Sequence, residues 1–169
     1  YRTRDFNSIE FSSRNFSRLI NRLLEQSSNN GYPFAEYQLK GIHIGGPSGC
    51  LLPVNKLSVP VCFDELKKAG AVLGAGGILI LDENVCIVDL VTYFMNFMKQ
   101  QSCGKCIPCR EGTRRMAEIL GGITRKPADN QGQTTLERFK GVMQLESLAA
   151  VMKDTSLCGL GQNAPSPVV

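Results

Sequence analysis

Histidine is almost missing from this chain, and the shortage removes several chemistries at once. Among 169 residues there is one, His43. It has no cysteine or carboxylate beside it in sequence, so a ligand or proton-transfer role built on imidazole has little support. It falls between Ile42 and Ile44 and is expected at an exposed strand position. No apolar run reaches the ~18 residues that span a bilayer, so direct membrane insertion is not expected. The first residues lack the basic start, apolar run and small-residue cleavage site of a secretory signal. Aromatic residues make up only 7%, and no basic stripe interleaves with them, so nucleic-acid binding is not expected. Nor is there a nucleophile–base pair or a carboxylate dyad in supporting sequence context.

Cysteine, by contrast, is plentiful, at seven residues. Without a secretory signal, that count points to metal rather than to disulfides and to a reducing compartment. The expected location is the cytoplasmic or matrix side, including peripheral attachment to a membrane complex. The remaining composition is ordinary for a globular chain, with 43% hydrophobic and 20% charged residues.

Three cysteines crowd into QSCGKCIPCREG, Gln101 to Gly112. Cys103, Cys106 and Cys109 follow a C-x-x-C-x-x-C spacing, which lets one short loop offer three thiolates to an iron–sulfur cube. A cube needs four ligands. Cys158, in SLCGLGQ, is the candidate fourth, and the glycines beside it let the backbone approach closely. Structural zinc usually takes its ligands as two pairs. A triplet plus a singleton therefore favours a [4Fe–4S] cluster. The alternative is a structural zinc site held by four cysteines in a noncatalytic assembly or binding module. Cys50, Cys62 and Cys86 lack ligand spacing; Cys50 and Cys62 are expected to be buried free thiols. The formal charge of +4 counts the cysteines as neutral. Four thiolates around an oxidised core of about +2 would bring the site to about −2.

SCGKCIPCREG followed at a distance by SLCGLGQ resembles the cluster-binding part of the flavoprotein subunit of respiratory complex I. Related subunits of NAD(P)-reducing hydrogenases and NAD-dependent formate dehydrogenases share the pattern. GIHIGGPSGC, Gly41 to Cys50, resembles the soluble-ligand-binding β-grasp segment that precedes the cluster in that family. GAVLGAGGILILDENVCIVD, Gly70 to Asp89, resembles its link into the helical part. The family usually has Glu where this chain has Gln101, and losing that negative charge is expected to raise the cluster potential slightly.

The resemblance implies an α+β chain: an N-terminal helix and partial β-grasp domain over residues 1–81, then a helical cluster-binding domain over residues 82–169. It implies Cys103, Cys106, Cys109 and Cys158 as [4Fe–4S] ligands. It also implies as partners a thioredoxin-fold [2Fe–2S] subunit and a larger iron–sulfur, hydrogenase or dehydrogenase subunit. FMN and NAD(H) bind an upstream domain in the family, and nothing in this chain resembles it. Both cofactors are therefore expected only on a missing domain or another chain, and this chain by itself is not expected to oxidise NADH. Its implied work is one-electron relay between a flavin and other clusters. The family continues beyond Val169 into another helix, so a truncated C-terminus is expected.

Periodicity fills in the rest. Phe16, Leu19, Ile20, Leu23 and Leu24 predict a core-packing helix over residues 13–26. Tyr37 to Ile44 reads as a strand and Phe63 to Lys68 as a short helix. Gly74 to Gly77 runs into Ile78–Leu81, a strand, rather than into a helix, so it is not a phosphate loop. Asp89 to Gln100 is expected to be a helix burying Val88, Val91, Phe94, Met95 and Met98. A second helix is expected from Arg110 to Leu120, stopped by Gly121-Gly122. Lys105, Arg110, Arg114 and Arg115 would place positive charge near the cysteines. After a loop over residues 124–133 and a capping box at Thr134 and Glu137, a third helix is expected to bury Leu136, Phe139, Met143, Leu148 and Met152. It would carry Cys158 back to the triplet.

Overall fold

The structure, a computed structural model, describes residues 39–74, 76–124 and 135–169. The expected helix over 13–26, most of the loop over 124–133, and Thr134 of the capping box lie outside those residues. The first layer is a small antiparallel sheet of β1 (Leu39–Ile44), β2 (Cys50–Pro53) and β3 (Ile78–Asp82), in the order β2-β1-β3. Ile42 faces Leu52 on one side and Ile80 on the other, and Ile44 faces Cys50 and Ile78. α1 (Phe63–Lys68) bridges β2 and β3 in sequence. Ile42, Ile44, Leu52, Leu57, Leu66 and Ala71 form one apolar cluster on this side.

The helical layer consists of α2 (Ile87–Gln101), α3 (Ile107–Thr124), α4 (Thr135–Thr155) and the short α5 (Gly159–Asn163). α3 packs against both α2 and α4, and α5 packs on α3 and α4. α2 buries Val91, Phe94, Met95 and Met98, and Val88 packs against the same core half-buried. Met95, Met116 and Met152, one from each long helix, are 0%, 0% and 1% exposed. Unbranched thioethers fill the irregular gaps between three helices at low cost in strain.

Four sequence expectations are corrected. His43 is buried, with 2% exposure. β1 is the central strand and is covered on both faces: Ile42 and Ile44 enter the sheet-side cluster, while His43 stacks on Phe94 of α2 at a ring separation of 4.5 Å. Cys62 is exposed and Cys50 half-buried, because Cys62 sits just before α1 on the open side. The helix expected from Arg110 begins at Ile107 and runs through Gly121-Gly122 to Thr124. Glycine permits a stop without enforcing one, and Gly122 is buried inside the bundle.

The fourth correction concerns α4. Its buried stripe is Gly141, Leu145, Ala149 and Met152. Met152 is the one residue of the expected set found fully inside, and Leu148 packs half-buried. Leu136, Phe139 and Met143 face outward at 62%, 63% and 53% exposure. Small side chains at 141 and 149 let α4 approach α3 closely, and that approach selects this stripe over the bulkier one.

Candidate metal centre

The cysteine loop hangs between two helices whose ends converge. α2 finishes at Gln101, and Ser102 turns extended with φ −63° and ψ 128°. α3 starts at Ile107, so Cys106 precedes the helix and its carbonyl accepts the first-turn bond from the Arg110 N–H at 3.1 Å. Pro108 is tolerated in that first turn because the N–H it lacks would have had no helical partner. Cys109 therefore lies inside α3, later in the loop–helix junction than the sequence suggested, and it is the buried thiol of the triplet.

α4 brings the fourth cysteine to this end. It stops at Thr155, and Cys158 adopts φ −143° and ψ 165° just before α5. Backbone N–H donors at Leu157, between them, and then at Cys109 hold the Cys106 thiol below the usual cysteine range. Burial pushes the Cys109 thiol up, and the nearby Cys106, Cys158 and Cys103 thiols add to the rise by electrostatic repulsion. The Cys109 thiol thus lies within electrostatic reach of the other three. Cys103 and Cys158 are exposed and Cys106 half-buried, whereas the other free cysteines, Cys50, Cys62 and Cys86, lie on the sheet side or at the start of α2.

Several contacts here had no signal in the spacing. The Ser102 hydroxyl lies 3.3 Å from the Cys109 sulfur and accepts the Gly104 N–H at 3.3 Å. Arg110 Nη1 donates to the Gly104 carbonyl at 2.9 Å, which ties the loop to α3. Glu111 lies 3.3 Å from Arg110 and 2.9 Å from Arg114, and Glu118 joins Arg114 and Arg115 at 2.7 and 3.2 Å. Arg114 and Arg115 therefore spend their charge largely on α3's own carboxylates.

At Gly161 a Cβ would sit 2.5 Å from the Ser156 Oγ and 2.9 Å from the Cys109 Cβ. Only a glycine lets the C-terminal turn close over the buried cysteine. The Ser156 Oγ is itself buried and unpartnered.

Among the described residues, no three Cys, His, Asp or Glu side chains converge tightly enough to hold a single metal ion. A tetrahedral zinc site of four cysteines, with Zn–S bonds of about 2.3 Å, needs its sulfurs roughly 3.8 Å apart. A four-iron cube spreads its four ligands more widely. A set of neighbouring thiols, backbone donors at Leu157 and Cys109, and a buried hydroxyl fit an anionic sulfur-rich group.

Comparison with known proteins agrees with this chemistry. Residues 89–169 match the NADH-ubiquinone oxidoreductase-F iron-sulfur binding region. These residues belong to that family. The match covers α2 from Asp89 on, α3 through α5 and all four clustered cysteines, while β1 and β2 lie upstream of it.

Relatives extend the similarity into the sheet. NADP-reducing hydrogenase subunit HndC of Solidesulfovibrio fructosivorans is 38% identical over 77% of this chain and 25% of its own length. An NADH-quinone oxidoreductase subunit of Rhizobium meliloti (strain 1021) is 32% identical over 86% of this chain and 32% of its own. An NAD+-reducing [NiFe]-hydrogenase in its H2-reduced state superposes with a TM-score of 0.68 at 26% identity, covering 92% of this chain and 23% of that one. The chain thus spans about a quarter to a third of the length of the curated relatives it matches. No helix among the described residues is long and apolar enough to cross a membrane.

Proposed function

We propose that this chain relays single electrons through one [4Fe–4S] cluster ligated by Cys103, Cys106, Cys109 and Cys158, as part of an NAD(P)H-linked oxidoreductase. The observation that carries the reading is the closure of the turn around Cys158 onto the cysteine loop, seen at Gly161, where a Cβ would meet both the Ser156 Oγ at 2.5 Å and the Cys109 Cβ at 2.9 Å. When bound, the cluster supplies a one-electron couple whose potential depends on charge, hydrogen bonds to sulfur and exposure. The residues here contribute four thiolates, backbone N–H groups that favour negative charge on sulfur, and a buried side at Cys109 that excludes water.

Relatives named as subunits of NADH-quinone oxidoreductase and of an NADP-reducing hydrogenase support work inside a larger assembly. In this reading FMN and NAD(H) sit on a region outside this chain, and electrons pass between that flavin and the clusters of a thioredoxin-fold [2Fe–2S] subunit and a larger iron–sulfur or hydrogenase subunit. The assembly works on the cytoplasmic or matrix side. The separate apolar clusters of sheet and bundle support a division near residues 81–82, with a partial β-grasp unit before it.

Anaerobic purification followed by iron and acid-labile sulfide analysis tests the reading. Equal iron and sulfide, with a paramagnetic signal on reduction, is the expected result. Stoichiometric zinc without sulfide would replace the electron-relay reading with a structural zinc site.

A further inference from the structure

Ser156 stands out because its hydroxyl has nothing to bond. The residue is 5% exposed, and its Oγ is buried with no hydrogen-bond partner. Its backbone is well held: the N–H donates to the Met152 carbonyl at 3.1 Å and the carbonyl accepts from the Gln162 side-chain amide at 3.0 Å. The hydroxyl is therefore placed by fixed backbone, not by a loose loop. It crowds Gly161 from the same side as the Cys109 Cβ. One residue earlier, the exposed Thr155 hydroxyl at the end of α4 already bonds the Val151 carbonyl at 2.6 Å. A donor buried without a partner is costly and calls for one.

We infer that Ser156 donates a hydrogen bond to a sulfur of the bound cluster and thereby raises its reduction potential. The inference rests on the ligand reading above. A donor aimed at sulfur stabilises the reduced, more negative cluster more than the oxidised one. Ser102, 3.3 Å from the Cys109 sulfur with its oxygen already accepting the Gly104 N–H, is a second hydroxyl whose proton is free to donate to sulfur. Ser156 is a positioning and tuning residue, not a ligand, and no proton leaves its oxygen during electron transfer.

The test is a redox titration of the anaerobically purified chain, followed by electron paramagnetic resonance, in wild type, Ser156→Ala and Thr155→Ala. At the wild-type midpoint, Ser156→Ala is expected to lower the ratio of reduced to oxidised cluster by about threefold to tenfold, tenfold being about 59 mV for a one-electron couple. It should also lose one exchangeable-proton coupling, while Thr155→Ala matches wild type. Equal midpoints and equal proton couplings in wild type and Ser156→Ala would overturn the inference. If Ser156→Ala holds no cluster, Ser156→Thr decides: a wild-type midpoint and proton coupling support the hydroxyl's role, and loss of that coupling overturns it. A wild-type chain that shows no four-iron signal would instead overturn the ligand reading.

Discussion

Met152 lies so close to Gly112 that a Cβ added there would overlap its sulfur and the adjoining methylene. Gly112 comes three residues after Cys109 on α3, and Met152 four residues before Ser156 on α4. The contact sets the distance between the two helices. It therefore sets how far the Ser156–Cys158 turn can advance over the loop. Met152 is fully buried, so its side chain has little room to move.

Gly112→Ala should accordingly destabilise the chain by about 1–3 kcal/mol, the usual range for overpacking a filled core. It should also reduce cluster content, because binding is coupled to folding of the site. Thermal unfolding and iron content measured on the same samples check both. An unchanged Tm with full iron would show that the helices separate without cost.

His43 gives the chain an acid-sensitive joint between sheet and bundle. Burial lowers its pKa from the ordinary 6.5, and its Nε2 has no partner. A lowered folded value means that the unfolded state binds the proton first. The contribution to stability is complete above pH 6.5 and is lost as pH falls from there through the folded value. The apo chain should lose Tm as pH is lowered through and below 6.5, and His43→Phe should remove that part of the loss. Identical pH profiles for the two would contradict the burial of a neutral imidazole.

The cysteine spacing names the residues of the candidate site, because three of them share one short loop. The surroundings of the cysteines are not legible there: Ser102, 3.3 Å from the Cys109 sulfur, and the buried, unpartnered Ser156 hydroxyl are placed by a helix end and a tight turn, which no spacing rule reports. The burial of His43 departs from the sequence expectation because alternation along β1 says nothing of α2 covering the second face. α4 departs from expectation in its buried face for a related reason. It carries bulky apolar residues on both sides, and the face that packs was decided by Gly141 and Ala149, whose small size makes a weak hydrophobic signal.

The outward face of α4 should behave as a contact surface. Leu136 and Phe139 are mostly exposed, so replacing both by Ser should change stability by only about 0.5 kcal/mol per site. Self-association and binding of a hydrophobic dye should fall, since a helix apolar on both sides is normally covered. Light scattering and dye fluorescence check this. A large drop in Tm would show that both residues pack inside.

Arg110 should act on the loop rather than on the fold. Its Gly104 contact is 2.9 Å, but its side chain is half exposed, so Arg110→Ala should cost under about 1 kcal/mol in global stability. Hydrogen exchange near Gly104 should speed up and a chelator should strip iron faster. Arg110→Lys should not restore either, because a single ammonium cannot serve both the carbonyl and Glu111 as a guanidinium fork does.

The central claim concerns which cysteines hold the cluster, and a pair of variants tests it most directly. Electron paramagnetic resonance of the anaerobically reduced chain should show a full four-iron signal in Cys86→Ser, whose thiol is exposed just before α2. Cys158→Ala should lose that signal or convert it to a three-iron form. A full four-iron signal in Cys158→Ala, with its loss in Cys86→Ser, would contradict the account.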